Sequence, residues 1–380
     1  MVIVKEQWAN FPRDNYVVGT SFNFDWTEIE SLVSLDQGKR RGSVVIVDNR
    51  QHNETKPHNP PLPYLGNSYY VCPSVGLDNT FHPKVVVGFD GQDLLLQVGS
   101  NNLTKNGTES NLEISGFLRI PLTDPHNEII DNVRTFLEGL ATCIPNDPLA
   151  KDDVLNFCEL ISNINPGKTK SCNSQFVHSF NESILDQIKQ LVPKINQVTI
   201  IVAPAHSSNP HFVDKIINLF GGKATFIIDP SRFSADVIAK SAYENYQLKK
   251  LEIEGHRPLH AKIYVFHTDD GDWTLYGSPN FTEAALAKSV KDGGNVEAAC
   301  LIPPSQDWNW TKLFEKTVGF SDFDWNNLHF SDVEKESSIE EKAPIAKWGY
   351  ENAIGKAIID SPGCVDGTRV FVVLYGLQKR

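Results

Sequence analysis

No stretch of the 380-residue chain approaches the run of about 18 apolar residues that a membrane-spanning helix requires. Its first residues, Met1-Val2-Ile3-Val4-Lys5-Glu6-Gln7-Trp8, lack the basic stretch, apolar centre and cleavage site of an export leader. Six cysteines, Cys72, Cys143, Cys158, Cys172, Cys300 and Cys364, show neither CxxC spacing nor a regular framework. That excludes a disulfide-stapled domain and leaves reduced thiols, so the expected location is cytoplasmic. In that setting a sequon such as Asn53-Glu54-Thr55 has no glycan to accept. Positive charge is also scarce: 35 basic residues face 47 acidic ones, a net charge of -12. The balance excludes a protein that coats nucleic acid or clings to anionic membrane through bulk charge, although a local basic patch can still hold phosphates. No basic amphipathic anchor is apparent, so stable membrane association is not expected.

Against these absences stands a duplication. Phe81-His82-Pro83-Lys84 leads to Gly99-Ser100-Asn101-Asn102, and Leu259-His260-Ala261-Lys262 leads to Gly277-Ser278-Pro279-Asn280. In each copy the His and the final Asn are twenty residues apart, 82 to 102 and 260 to 280. An Asn-x-Glu follows each time, as Asn111-Leu112-Glu113 and Asn295-Val296-Glu297. A single His-x-Lys carries no weight, but two equally spaced copies with the same trailing triplet point to one composite site built by two similar halves.

The residue types suit attack on a phosphodiester, which needs a nucleophile, a proton for the leaving oxygen and fixed groups for the phosphoryl oxygens. Imidazole titrates near neutrality, so two histidines, His82 and His260, can divide the first two tasks. Lys84 and Lys262 would supply charge, while Ser100, Ser278, Asn102 and Asn280 would donate hydrogen bonds to the same oxygens. Glu113 or Glu297 can accept a ring proton of a catalytic histidine and fix its tautomer. Neither a metal nor an organic cofactor is required by this set.

These segments resemble the paired HxK and GSxN motifs of the phospholipase D superfamily, and the first copy is most similar to its nuclease-like bacterial branch. The resemblance implies a covalent phosphohistidine, with His82 matching the usual nucleophile and His260 the usual acid and then base. Many members carry Asp seven residues after the histidine. Here those positions are Phe89 and His267, while Asp90 and Asp269 lie out of register and receive no role. The departure favours nuclease or phosphodiesterase readings over lipases. The expected function is a metal-independent phosphodiesterase, most simply a nuclease on DNA or RNA in a defence or repair assembly, with a helicase or ATPase partner or a second copy of the chain compatible with that role. A phospholipase or phosphatidyl transferase is the enzymatic alternative, and an inactive nucleic-acid-binding scaffold the alternative from another class.

The implied fold class is α/β: two similar phospholipase D-like halves with mixed, mainly parallel sheets flanked by helices, related by a pseudo-two-fold, with the active site between them. The pattern along the chain agrees. Thr27 to Leu35 reads as a helix, Ser43 to Asp48 and Tyr69 to Cys72 as strands, and Lys84 to Phe89 with Asp93 to Val98 as a hairpin around Asp90-Gly91-Gln92. In the second half Val198 to Val202, Ala224 to Ile228 and Leu251 to Ile253 read as strands. Lys262 to Phe266 and Trp273 to Tyr276 read as the second hairpin. Helices at Glu128 to Cys143 and Asp152 to Ile161 bridge the halves, and Pro166-Gly167-Lys168-Thr169 marks the seam. The divisions are 1–165 and 166–330 for the halves and 331–343 for a charged linker. A β-rich segment, 344–380, either packs on the halves or opens a further domain.

Other residues take structural readings. Lys39-Arg40-Arg41 reads as a solvated charged turn, and Trp308 and Trp310 as core. His256, four residues before His260, suggests a metal pair only on a helix, and the segment reads as strand.

Overall fold

The structure is a computed structural model that describes residues 16–34, 43–55, 62, 64–66, 69–89, 93–121, 128–162, 174–202, 210–229, 245–251, 258–304, 317–319 and 371–374. The first half runs β1 (Val17–Ser21), α1 (Trp26–Ser34), β2 (Ser43–Val47), α2 (Asn49–Glu54), β3 (Tyr70–Pro73), β4 (Val85–Phe89), β5 (Asp93–Gly99) and β6 (Ile114–Pro121). Two helices follow, α3 (Glu128–Thr142) and α4 (Pro148–Ser162). The second half runs β7 (Gln175–His178), α5 (Ile184–Leu191), β8 (Ile195–Val202), α6 (Pro210–Leu219), β9 (Ala224–Ile228) and β10 (Gln247–Leu251). It continues with β11 (Lys262–Thr268), β12 (Gly271–Gly277), α7 (Glu283–Leu286), β13 (Ala298–Ile302) and β14 (Thr317–Gly319), and a last strand is β15 (Phe371–Leu374).

Each half forms one sheet, and the two sheets share a strand plan. The first reads β3-β2-β1-β4-β5-β6 and the second β10-β9-β8-β11-β12-β13, position for position. Three further strands lie outside this repeat: β15 beside β6, β7 beside β13 and β14 beside β10. The β-branched runs of β1, β2 and β9 are buried at every residue, as strands covered on both faces must be.

Side chains alternate between two cores with the period of a strand. Val85 and Val87 of β4 face a core shared by both halves, where Ile263 and Val265 of β11 meet them, whereas Val86 faces the opposite way. Helices α3 and α4 close that shared core with Val133, Phe136, Leu140, Val154 and Phe157. On the outer face of the second sheet, Ile188 of α5 and Ile217 of α6 pack on Tyr264 and Phe266. On the outer face of the first, Ile29 of α1 packs with Val45, Val86 and Phe117.

One expectation needs correction. Both sheets are mixed, but they are mainly antiparallel: among the described strands only β1–β2, β2–β3, β8–β9 and β9–β10 pair in parallel, and nine pairs run antiparallel. The parallel pairs lie at one end of each sheet. The three strands that carry the duplicated motifs follow one another without a crossover, so they can only run antiparallel. The small residues of β6 and β13 hide them as strands in the sequence. The strand expected at Leu251 to Ile253 is β10, which the structure describes over Gln247–Leu251, and 252–253 lie outside the described residues. Lys39-Arg40-Arg41, the 166–169 seam, His256, Trp308, Trp310 and the 331–343 linker also lie outside them. Of 344–380 only β15 is described, and it pairs antiparallel with β6, Phe371 opposite Phe117.

The halves meet tightly where Tyr276 of β12, buried at 1 % exposure, lies over Gly116 of β6. A Cβ at Gly116 would fall on the tyrosine hydroxyl. Gly116→Ala is therefore expected to lower stability by about 1–3 kcal/mol through overpacking. Measured by denaturant titration, that cost should shrink towards zero in a Tyr276→Leu background. An equal cost in both backgrounds would show that the two residues do not share this contact.

Candidate active site

The local fold gathers each motif at one sheet edge. Val85 pairs with Val98, and Gly99 with Ser115, so His82 and Lys84 enter β4 where Ser100 leaves β5 and Glu113 enters β6. In the second half Ile263 pairs with Tyr276 and Gly277 with Ala299, with the same result for His260, Lys262, Ser278 and Glu297. The glycine before each serine is needed for close approach. A Cβ at Gly99 would stand 2.8 Å from the Ile114 carbonyl, and one at Gly277 2.5 Å from the Ala298 carbonyl.

The halves then exchange partners. The residue before each histidine bridges in parallel to the other half, Phe81 to Val296 and Leu259 to Leu112. The His82 N–H donates to the Val296 carbonyl at 2.9 Å, and the His260 N–H to the Leu112 carbonyl at 2.9 Å. Each imidazole thereby meets the glutamate of the opposite half. His82 Nδ1 lies 3.0 Å from Glu297 Oε2, and His260 Nδ1 lies 2.6 Å from Glu113 Oε1. Both glutamates are fully buried, and each is held from two further sides. Ser100 Oγ donates to Glu113 at 2.5 Å and Ser278 Oγ donates to Glu297. Asn111 Nδ2 and Asn295 Nδ2 donate at 3.1 and 3.2 Å.

The serines therefore stand differently from the sequence expectation. Both are fully buried; their hydroxyls donate to a glutamate and accept the Ile114 or Ala298 N–H at 3.0 Å. They orient the carboxylates that orient the histidines. Asn111 and Asn295 belong to the repeated triplets, yet only their hydrogen bonds reveal that they share this task.

Both lysines are buried. Lys84 Nζ donates to the His82 carbonyl at 2.7 Å. Lys262 Nζ donates to the His260 carbonyl at 2.8 Å and also lies 2.9 Å from His260 Nε2. Asn102 and Asn280 are half-buried at the same edge. The side-chain Oδ1 of Asn102 accepts the Asn23 N–H at 3.4 Å, whereas Oδ1 of Asn280 is buried without a partner. Phe22, which the sequence did not single out, closes the first half's side. Its ring centroid is 5.3 Å from that of His82 and 5.7 Å from Lys84 Nζ.

Burial and mutual repulsion tune these groups. Burial pushes the His82 imidazole down to about 4, with Lys84 and Lys262 adding repulsion and Glu297 pulling the other way. His260 is lowered for the same reasons, burial first, with Lys262 and Lys84 against Glu113. Burial, then repulsion by Lys262, holds Lys84 well below the usual ammonium range. Burial alone would raise both glutamates, but the facing histidines and lysines hold them below the ordinary carboxylate value. The consistent state has ionised glutamates accepting Nδ1–H from neutral imidazoles, whose Nε2 atoms are then the basic ones.

The remaining candidates fall outside this cluster. His267 is occupied by Asp272 at 2.8 Å and Thr199 at 2.9 Å on the β11–β12 hairpin, and Phe89 packs against the shared core. Asp269 accepts from Asn196 at 2.6 Å, and Asp90 lies outside the described residues. Among the described residues no group of three or more His, Cys, Asp or Glu side chains is arranged to hold a metal ion, and no helix is long and apolar enough to cross a membrane.

The architecture has solved counterparts. Yeast tyrosyl-DNA phosphodiesterase matches with a TM-score of 0.51 at 15% identity, over 77% of this chain and 84% of that one. Two structures of its point variants match with TM-scores of 0.53 and 0.52, at 13% and 14% identity, over 77% and 82% of this chain and 82% and 85% of those. No family model matches the chain, and no curated protein does. At these identities the likeness is one of fold: the chain has the two-half, phospholipase D-like fold to which the paired motifs pointed.

The lowered imidazole sets a pH dependence of stability. The ordinary histidine value is 6.5 and that of folded His82 about 4, so below 6.5 the unfolded chain takes up the proton more readily. Stability should therefore fall as pH drops from 6.5 towards 4, and the lowered glutamates should add a further loss below 4.5. His82→Asn should flatten the slope of the denaturation midpoint between those two values. An unchanged slope would contradict a depressed imidazole.

Proposed function

We propose that the chain is a metal-independent phosphodiesterase, a nuclease that cleaves DNA or RNA through a phosphohistidine. The observation that carries the reading is the crossed pair of imidazole–carboxylate contacts, His82 with Glu297 and His260 with Glu113, beside two buried lysines. Holding Nδ1–H against a carboxylate leaves Nε2 with the lone pair that attack on phosphorus needs. The fold shared with an enzyme named for its action on tyrosyl-DNA supports a nucleic-acid phosphodiester as substrate.

In this reading His82 Nε2 attacks, forming a P–N bond as the P–O bond to the leaving group breaks, and His260 donates its proton to the departing oxygen. His260 next takes a proton from water. The resulting hydroxide displaces His82 from phosphorus and restores the free imidazole. An asymmetry supports this division: both lysines bond the carbonyl of their own histidine, but Lys262 also reaches Nε2 of His260 at 2.9 Å and can keep that ring supplied with a proton. A bound phosphodiester offsets the repulsion of the lysines and raises the imidazoles' affinity for protons. Lys84, Lys262, Asn102 and Asn280 steady the phosphoryl oxygens. Residues 1–165 and 166–330 act as one catalytic unit, because each supplies the carboxylate for the other's histidine.

The purified chain should hydrolyse bis-p-nitrophenyl phosphate and at least one of single- or double-stranded DNA and RNA, at rates unchanged by EDTA. His82→Ala and His260→Ala should each abolish cleavage of the nucleic acid, with the double variant scarcely worse, since parts of one unit are not additive. Loss of activity in EDTA that added magnesium or manganese restores would overturn the mechanism. Half the activity in each single variant would mean two independent sites.

A further inference from the structure

Two aspartates outside the repeated motifs occupy matching places in the two halves. Asp48 follows β2 and Asp229 follows β9, strands that hold the same position in the two sheets. Asp48 Oδ2 accepts the backbone N–H of Phe81 at 3.0 Å, and Asp229 Oδ2 accepts that of Leu259 at 3.0 Å. In each half this is the residue immediately before the histidine.

The geometry of that short segment gives the contact its meaning. The next N–H along, that of the histidine itself, goes to the opposite half, to Val296 or Leu112. Successive amides are thus pulled towards different halves, and the aspartate is the tie to the histidine's own half. Asp48 is buried at 5 % exposure and also caps α2 by accepting from Arg50 N at 2.9 Å, so the tie is anchored to a helix start as well as a strand end. A charged acceptor makes a shorter and stronger bond to an amide than a neutral one would.

We propose that Asp48 and Asp229 are positioning residues that set the depth at which His82 and His260 enter the shared site, each for the histidine of its own half. The inference rests on the division of labour between His82 and His260 given above. It follows that the two aspartates serve different chemical tasks although their contacts match: Asp48 supports attack on phosphorus, and Asp229 supports protonation of the leaving group and then activation of water.

The test compares an oligonucleotide, whose leaving oxygen needs a proton, with bis-p-nitrophenyl phosphate, whose leaving group does not. Asp48→Ala should lose on the order of tenfold to a hundredfold in kcat on both substrates, the scale of a misplaced catalytic group. Asp229→Ala should lose as much on the oligonucleotide and little in the first-turnover burst of p-nitrophenolate from bis-p-nitrophenyl phosphate, the step that forms the phosphohistidine without an acid. Asn at either position keeps an acceptor oxygen and should restore most of the rate. Asp48→Ser keeps a capping oxygen for α2 but is too short to reach Phe81, so it should match Ala in rate while losing less melting temperature than Ala. A second readout does not depend on turnover: in proton NMR, Asp48→Ala should shift the Nδ1–H signal of His82 and leave that of His260 in place, with the reverse for Asp229→Ala. Equal losses on both substrates for both variants, or unmoved imidazole signals, would overturn the proposal. A wild-type chain inactive on both substrates whose signals still move as stated would instead refute the phosphodiesterase reading and leave the positioning role intact.

Discussion

The structure depends on an exchange between its halves, in which each histidine is oriented by a carboxylate that its own half does not provide. The Phe81–Val296 and Leu112–Leu259 bridges bring this about by laying one half's Asn-x-Glu beside the other half's His-x-Lys. Almost everything else follows from keeping those strands in register. The cross-strand order β4-β5-β6 and its counterpart bring three strand ends to one edge, and the shared core fixes how the edges face each other. A shift of one residue in either bridge would turn the histidine to the other face of its segment.

That exchange also solves an electrostatic problem. Two ammonium groups and two carboxylates are buried together, and removing any one from its partners would leave an uncompensated charge out of water. With neutral imidazoles the four charges cancel, but the lysines still repel each other across the site. The free site is therefore short of negative charge at its centre, which is where a phosphodiester would place it. The acidic excess of the whole chain, -12, acts on this only weakly, because exposed charges more than about 10 Å away are largely screened by water and salt.

Much of this was legible in the sequence, and what was not has identifiable causes. Equal spacing of the two motifs revealed a composite site because a sheet edge converts strand length into position. It did not reveal the exchange: in a two-fold repeat, pairing within a half and pairing across halves leave the same pattern of residues. β6 and β13 were hidden by the small residues Ser115-Gly116 and Ala298-Ala299-Cys300, Gly116 being small because Tyr276 takes the space a side chain would fill, so their sheets read as more parallel than they are. Ser100 and Ser278 were read as facing substrate because hydroxyls beside a catalytic motif usually do. Only the fold shows them turned to the buried glutamates. Asp48 and Asp229 follow β-branched strands, where an aspartate looks like an ordinary strand exit or helix cap.

The exchange also orders events during synthesis. His82 and its carboxylate are 215 residues apart in the chain, a separation that makes this contact one of the last to close. While the ribosome has yet to reach Glu297, the first half can pair its strands, but the sheet face it shares with the second half lacks its cover, its imidazole has no partner for Nδ1 and its lysine no nearby carboxylate from the second half. A growing chain thus carries every atom of one motif without the carboxylate for its imidazole, and the crossed pairing is complete only when the second sheet docks. For the nuclease proposed above, the fold itself acts as the timer.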